Sequence, residues 1–406
     1  MIKKKGFFTV VLQGLIAFTS GLHFIFLSKY LGPVDYGIFV FITSIGRMAS
    51  PLSLFGRNTL LLSDSKVSDQ KSKFIAQEFI GATFITSLIL CVLVLPIAVF
   101  ATNNVLSLVY IALIVFSEVF VRNIFEIWSC RLLFIGRYIY SQVVTLLFNV
   151  LRTLSLIIAI GFFSFDLENI TVIKCILMLI LFLFMLYDLG PWVFDSTKTL
   201  LGWIKSQFSW RGFQFGIVDS SDYLSRSGIL VVSGFILSSL DYGFFSTGMQ
   251  LVLFMTFITK SLVEIKRREF FETGINGSKA VFITHFSYHF KYFLFSVFLG
   301  VFLLLFAKLV PFLIGKKYIE AIELYQLAAL TTVLLSIETL FKKILVFGGK
   351  NMTCVAISFL NVIIFSISIF ILSARLNVTG FTILVCFSLT TFLTLWIQLF
   401  YIFKRN

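Results

Sequence analysis

The sequence predicts an all-α polytopic membrane protein of about 12 transmembrane helices, in two six-helix bundles related by a pseudo-twofold axis along the membrane normal. Three observations predict it. The chain is 59% hydrophobic, only 13% charged, and has a mean hydropathy of +1.01, which no soluble domain of this length approaches. Its apolar residues fall into segments of the roughly 20 residues that a bilayer core requires. Finally, Asp35-Tyr36-Gly37 recurs as Asp241-Tyr242-Gly243, a separation close to half of the 406 residues, just after the first apolar helix of each half. A membrane chain built of two matching halves carries the signature of a transporter.

The elements follow in order. Met1-Ile2-Lys3-Lys4-Lys5 leads into an apolar run from Phe7 to Leu27, read as an uncleaved first helix because the run is long enough to span. The remaining spans are expected at 36–62, 74–100, 105–121, 139–163, 170–187, 212–236, 242–259, 292–314, 321–340, 352–373 and 379–403. Pro51 and Pro96 are the expected kinks, since proline lacks a backbone donor and crowds the preceding turn. Residues 1–190 form the first bundle, 191–211 a cytoplasmic linker, and 212–406 the second bundle. The stretch 260–291, with Lys266-Arg267-Arg268-Glu269, is expected as an interfacial amphipathic helix facing anionic lipid.

Charge sets the expected orientation. With the N-terminus inside, 23 Lys and Arg fall in inside segments, against only Lys29, Lys316, Lys317 and Arg375 outside. Both termini are therefore expected in the cytoplasm, with outside loops too short for a further domain. The net charge of +14 does not point to nucleic acid, because the basic residues form no stripe or aromatic platform. The five cysteines are dispersed and suggest neither disulfides nor a metal. No GxxxxGK[ST] loop is present, so no nucleotide-driven pump is encoded. His285 and His289 have metal-ligand spacing but lack an acidic neighbour; no metal or cofactor is expected.

Charges at membrane depth carry the chemistry. Arg47, Arg152 and Arg226 lie well inside helices, as do Asp219 and Asp222, and each such group costs roughly 2.5–3.5 kcal/mol at the bilayer centre. A water-filled cavity or buried pairing must offset that cost. Asp222 and Arg226, one turn apart with the acid first, could pair with each other. Lys174 and Lys308 are expected to snorkel outward, and Glu78, Glu118, Arg57 and Glu338 to lie near the cytoplasmic interface. Asp35 and Asp241 are expected as N-caps, with Gly37 and Gly243 permitting close helix approach.

At Tyr30-Leu31-Gly32-Pro33-Val34-Asp35-Tyr36-Gly37-Ile38-Phe39 the chain resembles the Wzx-type O-antigen flippases of the multidrug/oligosaccharidyl-lipid/polysaccharide (MOP) exporter superfamily, whose helix 1–2 turn reads LGPxxYG. The resemblance continues in Phe55-Gly56-Arg57, Leu240-Asp241-Tyr242-Gly243-Phe244-Phe245, Pro311 to Tyr318, Gly348-Gly349-Lys350 and Asn377-Val378-Thr379-Gly380; 190–230 and 260–291 match poorly. It implies a MATE-like fold in a bacterial inner membrane that moves undecaprenyl-pyrophosphate-linked oligosaccharide between leaflets by alternating access. It implies an H+ or Na+ gradient, with Asp219 or Asp222 as ion carrier, and a polysaccharide polymerase and chain-length regulator as partners. Arg47, Arg152 and Arg226 would bind the pyrophosphate or acidic sugars, since guanidinium suits phosphate oxygens. In place of a helix-7 Asp directly before Arg or Lys, this chain sets its acid and base a turn apart. A MATE-like drug or cation exporter is the nearest alternative, and it would favour an acidic, aromatic cavity. A membrane O-antigen polymerase or glycosyltransferase is a second alternative, which the short outside loops disfavour.

Overall fold

Long runs of Leu, Ile, Val and Phe leave the backbone no hydrogen-bonding partner in lipid except itself, so each run closes as a helix. The computed structural model describes residues 2–54, 69–101, 107–162, 166–189, 210–375 and 377–404. Among them the helices are α1 (Ile2–Leu54), α2 (Asp69–Ala101), α3 (Leu108–Phe116), α4 (Arg122–Phe134), α5 (Tyr138–Phe162), α6 (Leu167–Leu189), α7 (Trp210–Gly234) and α8 (Ser239–Ile265). They continue as α9 (Arg267–Gly274), α10 (Ser278–Thr284), α11 (Phe286–Phe306), α12 (Val310–Ile314), α13 (Ile322–Phe347), α14 (Asn351–Ser373) and α15 (Gly380–Phe403). The described residues form no strand. The chain is thus an all-α, multi-pass membrane protein.

Among the described residues, nine continuous helical stretches are long and apolar enough to cross a membrane, the first of them 44 residues long. That first stretch holds two of the expected spans. They are divided at Gly32, whose φ of 72° is a left-handed conformation open to glycine. Helices α7 and α13 stand at the other two expected positions. A helix therefore stands at each of the twelve expected positions. The expected kinks do not break the chain: α1 continues through Pro51 and α2 through Pro96.

Two boundaries differ most from expectation. The fourth span does not stop at residue 121 but passes through a π turn (Ser117–Val121) into α4, and the tenth runs to Phe347. Arg122, Arg131 and Lys342, expected in cytoplasmic loops, lie instead inside helices, and Arg131 and Lys342 are buried. Hydropathy stopped short because it scores each of these cations as if unpaired.

The chain divides into two compact units, Met1–His23 with Phe41–Tyr223, and Phe24–Val40 with Leu224–Asn406. In the first, α5 packs on α4 and α6, and α2 packs on α3 and α4. Polar ladders fix helix direction. Gln13 pairs with Gln142, and Ser20 donates to Asn149 at 3.2 Å; both pairs are 129 residues apart, so the first span and α5 run parallel. Ser50 donates to Asn123 Oδ1 at 2.7 Å, locking the second span to the fourth. At the far end of α6, Asp188 accepts from Trp128 Nε1 at 2.9 Å and pairs with buried Arg131 at 3.4 Å.

In the second unit α13 is central, packed against α8, α11 and α15. The expected single interfacial helix is two short ones, α9 and α10, turned at Gly277 with φ 92°. Phe270 is fully buried among His285, Tyr288, His289 and Phe347, so this segment docks on its own bundle.

The repeated tripeptides share a helix register. The second span starts after Gly32, with Pro33 at the first helical position, where proline's missing N–H costs nothing. Helix α8 starts after Ser238. Asp35 and Asp241 are thus each the third helical residue, and neither is the N-cap expected of it. Ser238 takes that role: its Oγ accepts the Asp241 N–H at 3.2 Å and donates to Asp241 Oδ2 at 2.7 Å. Leu31 and Tyr36, and likewise Leu237 and Tyr242, are buried at the two positions of a hydrophobic staple.

Candidate functional site

A carboxylate placed mid-helix in an apolar span must find cations or be neutralised. Glu118 finds three. It stands in the π turn between α3 and α4, a backbone irregularity frequent at functional positions. Lys174 on α6 holds Oε1 at 3.0 Å. Arg47 on the second span reaches Oε2 through Nε at 3.2 Å, and Arg122, one turn along α4, lies 3.8 Å from the same oxygen. Gly46 makes room for the approach: a Cβ there would stand 3.0 Å from the Glu118 Cβ. Lys174 also donates to Ser117 Oγ at 3.1 Å. Arg122 extends away from the cluster to donate to the Tyr223 hydroxyl at 2.9 Å.

Two expectations are corrected here. Lys174 does not snorkel outward, and Glu118 is not interfacial; both are buried and paired with each other. The helix contacts that make this pairing, 56 residues apart, leave no trace in hydropathy. Arg152, half-buried on α5, lies within electrostatic reach of both Glu118 and Lys174, as does buried His23 of Glu118's cation set. The site therefore gathers Arg47 and Arg152, named from the sequence, with Arg122 and Lys174, which sequence reasoning missed as members. Four cations face Glu118 and, beside Arg122, Glu126. Among the described residues the cluster carries an excess of positive charge.

The second unit has its own charged seam between α7 and α13. Arg226 donates to Thr339 Oγ1 at 3.1 Å. One turn on, Lys342 pairs with Glu338 at 2.9 Å and donates to Ser225 Oγ at 3.2 Å. Glu338, expected at the interface, is buried. The side chains of Asp219 and Asp222 lie outside the described residues, as does Arg57. His285 bonds Thr273 Oγ1 at 3.0 Å and His289 turns toward the Val281 carbonyl, so the histidines face separate partners. Among the described residues no group of His, Cys, Asp and Glu could hold a metal ion.

Gly37 and Gly243 occupy the crossing of the two repeated helix starts within the second unit. A Cβ on Gly37 would meet Gly243 Cα at 3.2 Å, and one on Gly243 would meet the Pro33 carbonyl oxygen at 2.0 Å.

No protein-family model and no curated protein matches the sequence. Solved structures do match it over almost their whole length. The inward-facing conformation of a multidrug resistance MATE family transporter of the MOP superfamily superposes with a TM-score of 0.63 at 13% identity, covering 96% of this chain and 93% of that one. The outward-facing conformation gives 0.62 at 12% identity, covering 97% and 94%. The eukaryotic MATE transporter AtDTX14 gives 0.59 at 12% identity, covering 98% and 92%. At these identities the likeness is one of fold, and the fold is MATE-like.

Proposed function

We propose that this protein is a transporter for an anionic lipid-linked oligosaccharide, moving undecaprenyl-pyrophosphate-linked repeat units from the cytoplasmic to the periplasmic leaflet of a bacterial inner membrane. The observation that carries the reading is the cation excess around Glu118: a membrane protein holds Arg47, Arg122, Arg152 and Lys174 together at depth against a desolvation cost that a visiting anion would offset. A diphosphate offers several acceptor oxygens, and guanidinium groups bind such oxygens as a planar fork. Arg47, Arg152 and Arg226 serve as the substrate-binding cations, with Arg226 acting from α7. Residues 1–190 and 212–406 form the bundles that rock in alternating access, the cycle that the inward- and outward-facing neighbours suggest by analogy of fold.

Transport is coupled to H+ or Na+, with Asp219 or Asp222 as the carrier. Both termini are cytoplasmic, and a polysaccharide polymerase and chain-length regulator take the product onward. A second reading is favoured by the neighbours' own description as multidrug transporters: export of a drug or organic cation through the same fold. The cation excess opposes it, because a cationic cargo would be repelled.

Proteoliposomes decide between the two. Purified protein should move a fluorescent undecaprenyl-pyrophosphate oligosaccharide between leaflets, measured by protection from a membrane-impermeant quencher, and should leave an organic cation dye where it was. Movement of the dye alone would select the drug-exporter reading.

A further inference from the structure

The two carboxylate oxygens of Glu118 have different surroundings. Oε1 faces Lys174, which is 6% exposed and donates also to Ser117. That half is a sealed pair. Oε2 is shared by Arg47 and Arg122, which are 16% and 29% exposed and approach only to 3.2 and 3.8 Å. Arg47 uses its Nε alone in this contact, and Arg122 gives its better hydrogen bond, 2.9 Å, to Tyr223. Two guanidinium groups lean on one oxygen, and neither makes the two-point contact that an arginine–carboxylate pair adopts when the pair is the purpose of the site.

We infer that Glu118 is a built-in counter-anion: its Oε2 holds Arg47 and Arg122 in place while the site is empty and yields them to a phosphate-type substrate, whereas its Oε1 stays fixed on Lys174. The inference rests on the anionic-substrate reading above and makes Glu118 the positioning residue that sets the threshold for that substrate. The chemistry supports the exchange. A diphosphate carries more charge and more oxygens than one carboxylate edge, so it can engage both guanidinium forks where Oε2 cannot. A monovalent anion offers no such gain and should be turned away. Arginines held on Glu118 are only fractionally available, which weakens the apparent affinity by that fraction. An arginine cluster with no internal anion would hold any passing anion too tightly to release it.

The test uses the full-length protein in detergent and inorganic pyrophosphate as the probe, read by calorimetric titration. Glu118→Gln keeps the size and one acceptor oxygen but removes the charge. It should bind pyrophosphate on the order of tenfold more tightly than the wild type, because the competing anion is gone. Its melting temperature should be lower than wild type without pyrophosphate and should rise with it by more than the wild type's does. Chloride at equal ionic strength should produce neither effect. If Glu118→Gln accumulates poorly, the double variant Glu118→Gln/Lys174→Met restores the charge balance, and it too should bind more tightly than wild type.

Weaker or unchanged binding in both variants, with wild-type binding intact, overturns the counter-anion role and leaves the anionic-substrate reading standing. Absence of pyrophosphate binding in the wild type and in both variants overturns the two together.

Discussion

Gly37 and Gly243, equivalent members of the two repeated tripeptides, face one another across a helix crossing so close that a Cβ on the first would stand 3.2 Å from the Cα of the second. The sequence repeat is therefore also a structural one. Each copy is the fifth residue of a helix start; at Gly243 the Pro33 backbone already occupies the space of a side chain, and at Gly37 a Cβ would be tight against Gly243.

The two glycines differ in how much room they leave. Gly243→Ala drives a methyl group into the Pro33 carbonyl, while Gly37→Ala meets contacts that can give by a few tenths of an ångström. Overpacking of this kind costs about 1–3 kcal/mol, and Gly243→Ala should be the costlier. Thermal melting of the purified variants checks the order; a larger loss in Gly37→Ala would contradict the geometry.

The repeated aspartates should separate in the same way. Asp241 is locked in a reciprocal pair with the Ser238 hydroxyl, whereas the equivalent of Ser238 in the first copy is Gly32, which has no side chain to offer. Ser238→Ala should cost about 1 kcal/mol as a lost helix cap. Asp241→Ala should destabilise more than Asp35→Ala. Equal melting shifts for the two aspartates would refute the assignment.

A third expectation concerns the buried pair. Removing Glu118 strands Lys174, while removing Lys174 leaves Glu118 only the Arg47 and Arg122 contacts on Oε2, and breaking a buried ion pair costs about 3–5 kcal/mol. The double replacement Glu118→Gln/Lys174→Met should lose markedly less than the sum of Glu118→Gln and Lys174→Met. Chemical denaturation of the three variants gives the coupling; additive losses would mean that the two groups do not depend on each other.

Much of the fold was legible in the sequence because one physical fact sets it. A bilayer demands apolar helices of fixed length, and all twelve expected segments have a helix where they were placed. The failures share a cause. Arg122, Arg131 and Lys342 cut the expected helices short because hydropathy treats a cation as exposed, and whether it is paired depends on a partner on another helix. The same cause makes Lys174 look like a snorkelling group. Glu118 could have been suspected from being a lone acid amid an otherwise apolar span, but its three partners come from positions 47, 122 and 174, and only the packing brings them together. The entry of a turn into a helix points to the repeated Asp as N-cap, but the serine three residues earlier, in a Ser-x-x-Asp pattern, is the better signal.

Topology provides a fourth expectation. Reporter fusions after Asn103, Leu167, Ser239, Lys317 and Asn377 should read periplasmic. Fusions after Lys71, Lys198, Lys279 and Arg405 should read cytoplasmic, following the distribution of Lys and Arg. Moving Arg122, Arg131 and Lys342 out of the loops leaves the asymmetry strongly in the same direction. A single reversed cytoplasmic site would break the twelve-helix path.

The central claim is that arginines at membrane depth hold an anionic lipid-linked substrate, and complementation tests it most directly. A strain lacking its own polysaccharide flippase is supplied with the wild type, Arg47→Ala, Arg152→Ala, Arg226→Ala and the matching Lys variants, and scored for surface polysaccharide at equal protein level in the membrane. The account predicts restoration by the wild type, loss or strong reduction in each Ala variant, and partial rescue by Lys, which keeps the charge but not the two-point fork. Full-length polysaccharide at normal levels from all three Ala variants would contradict it and make these arginines structural.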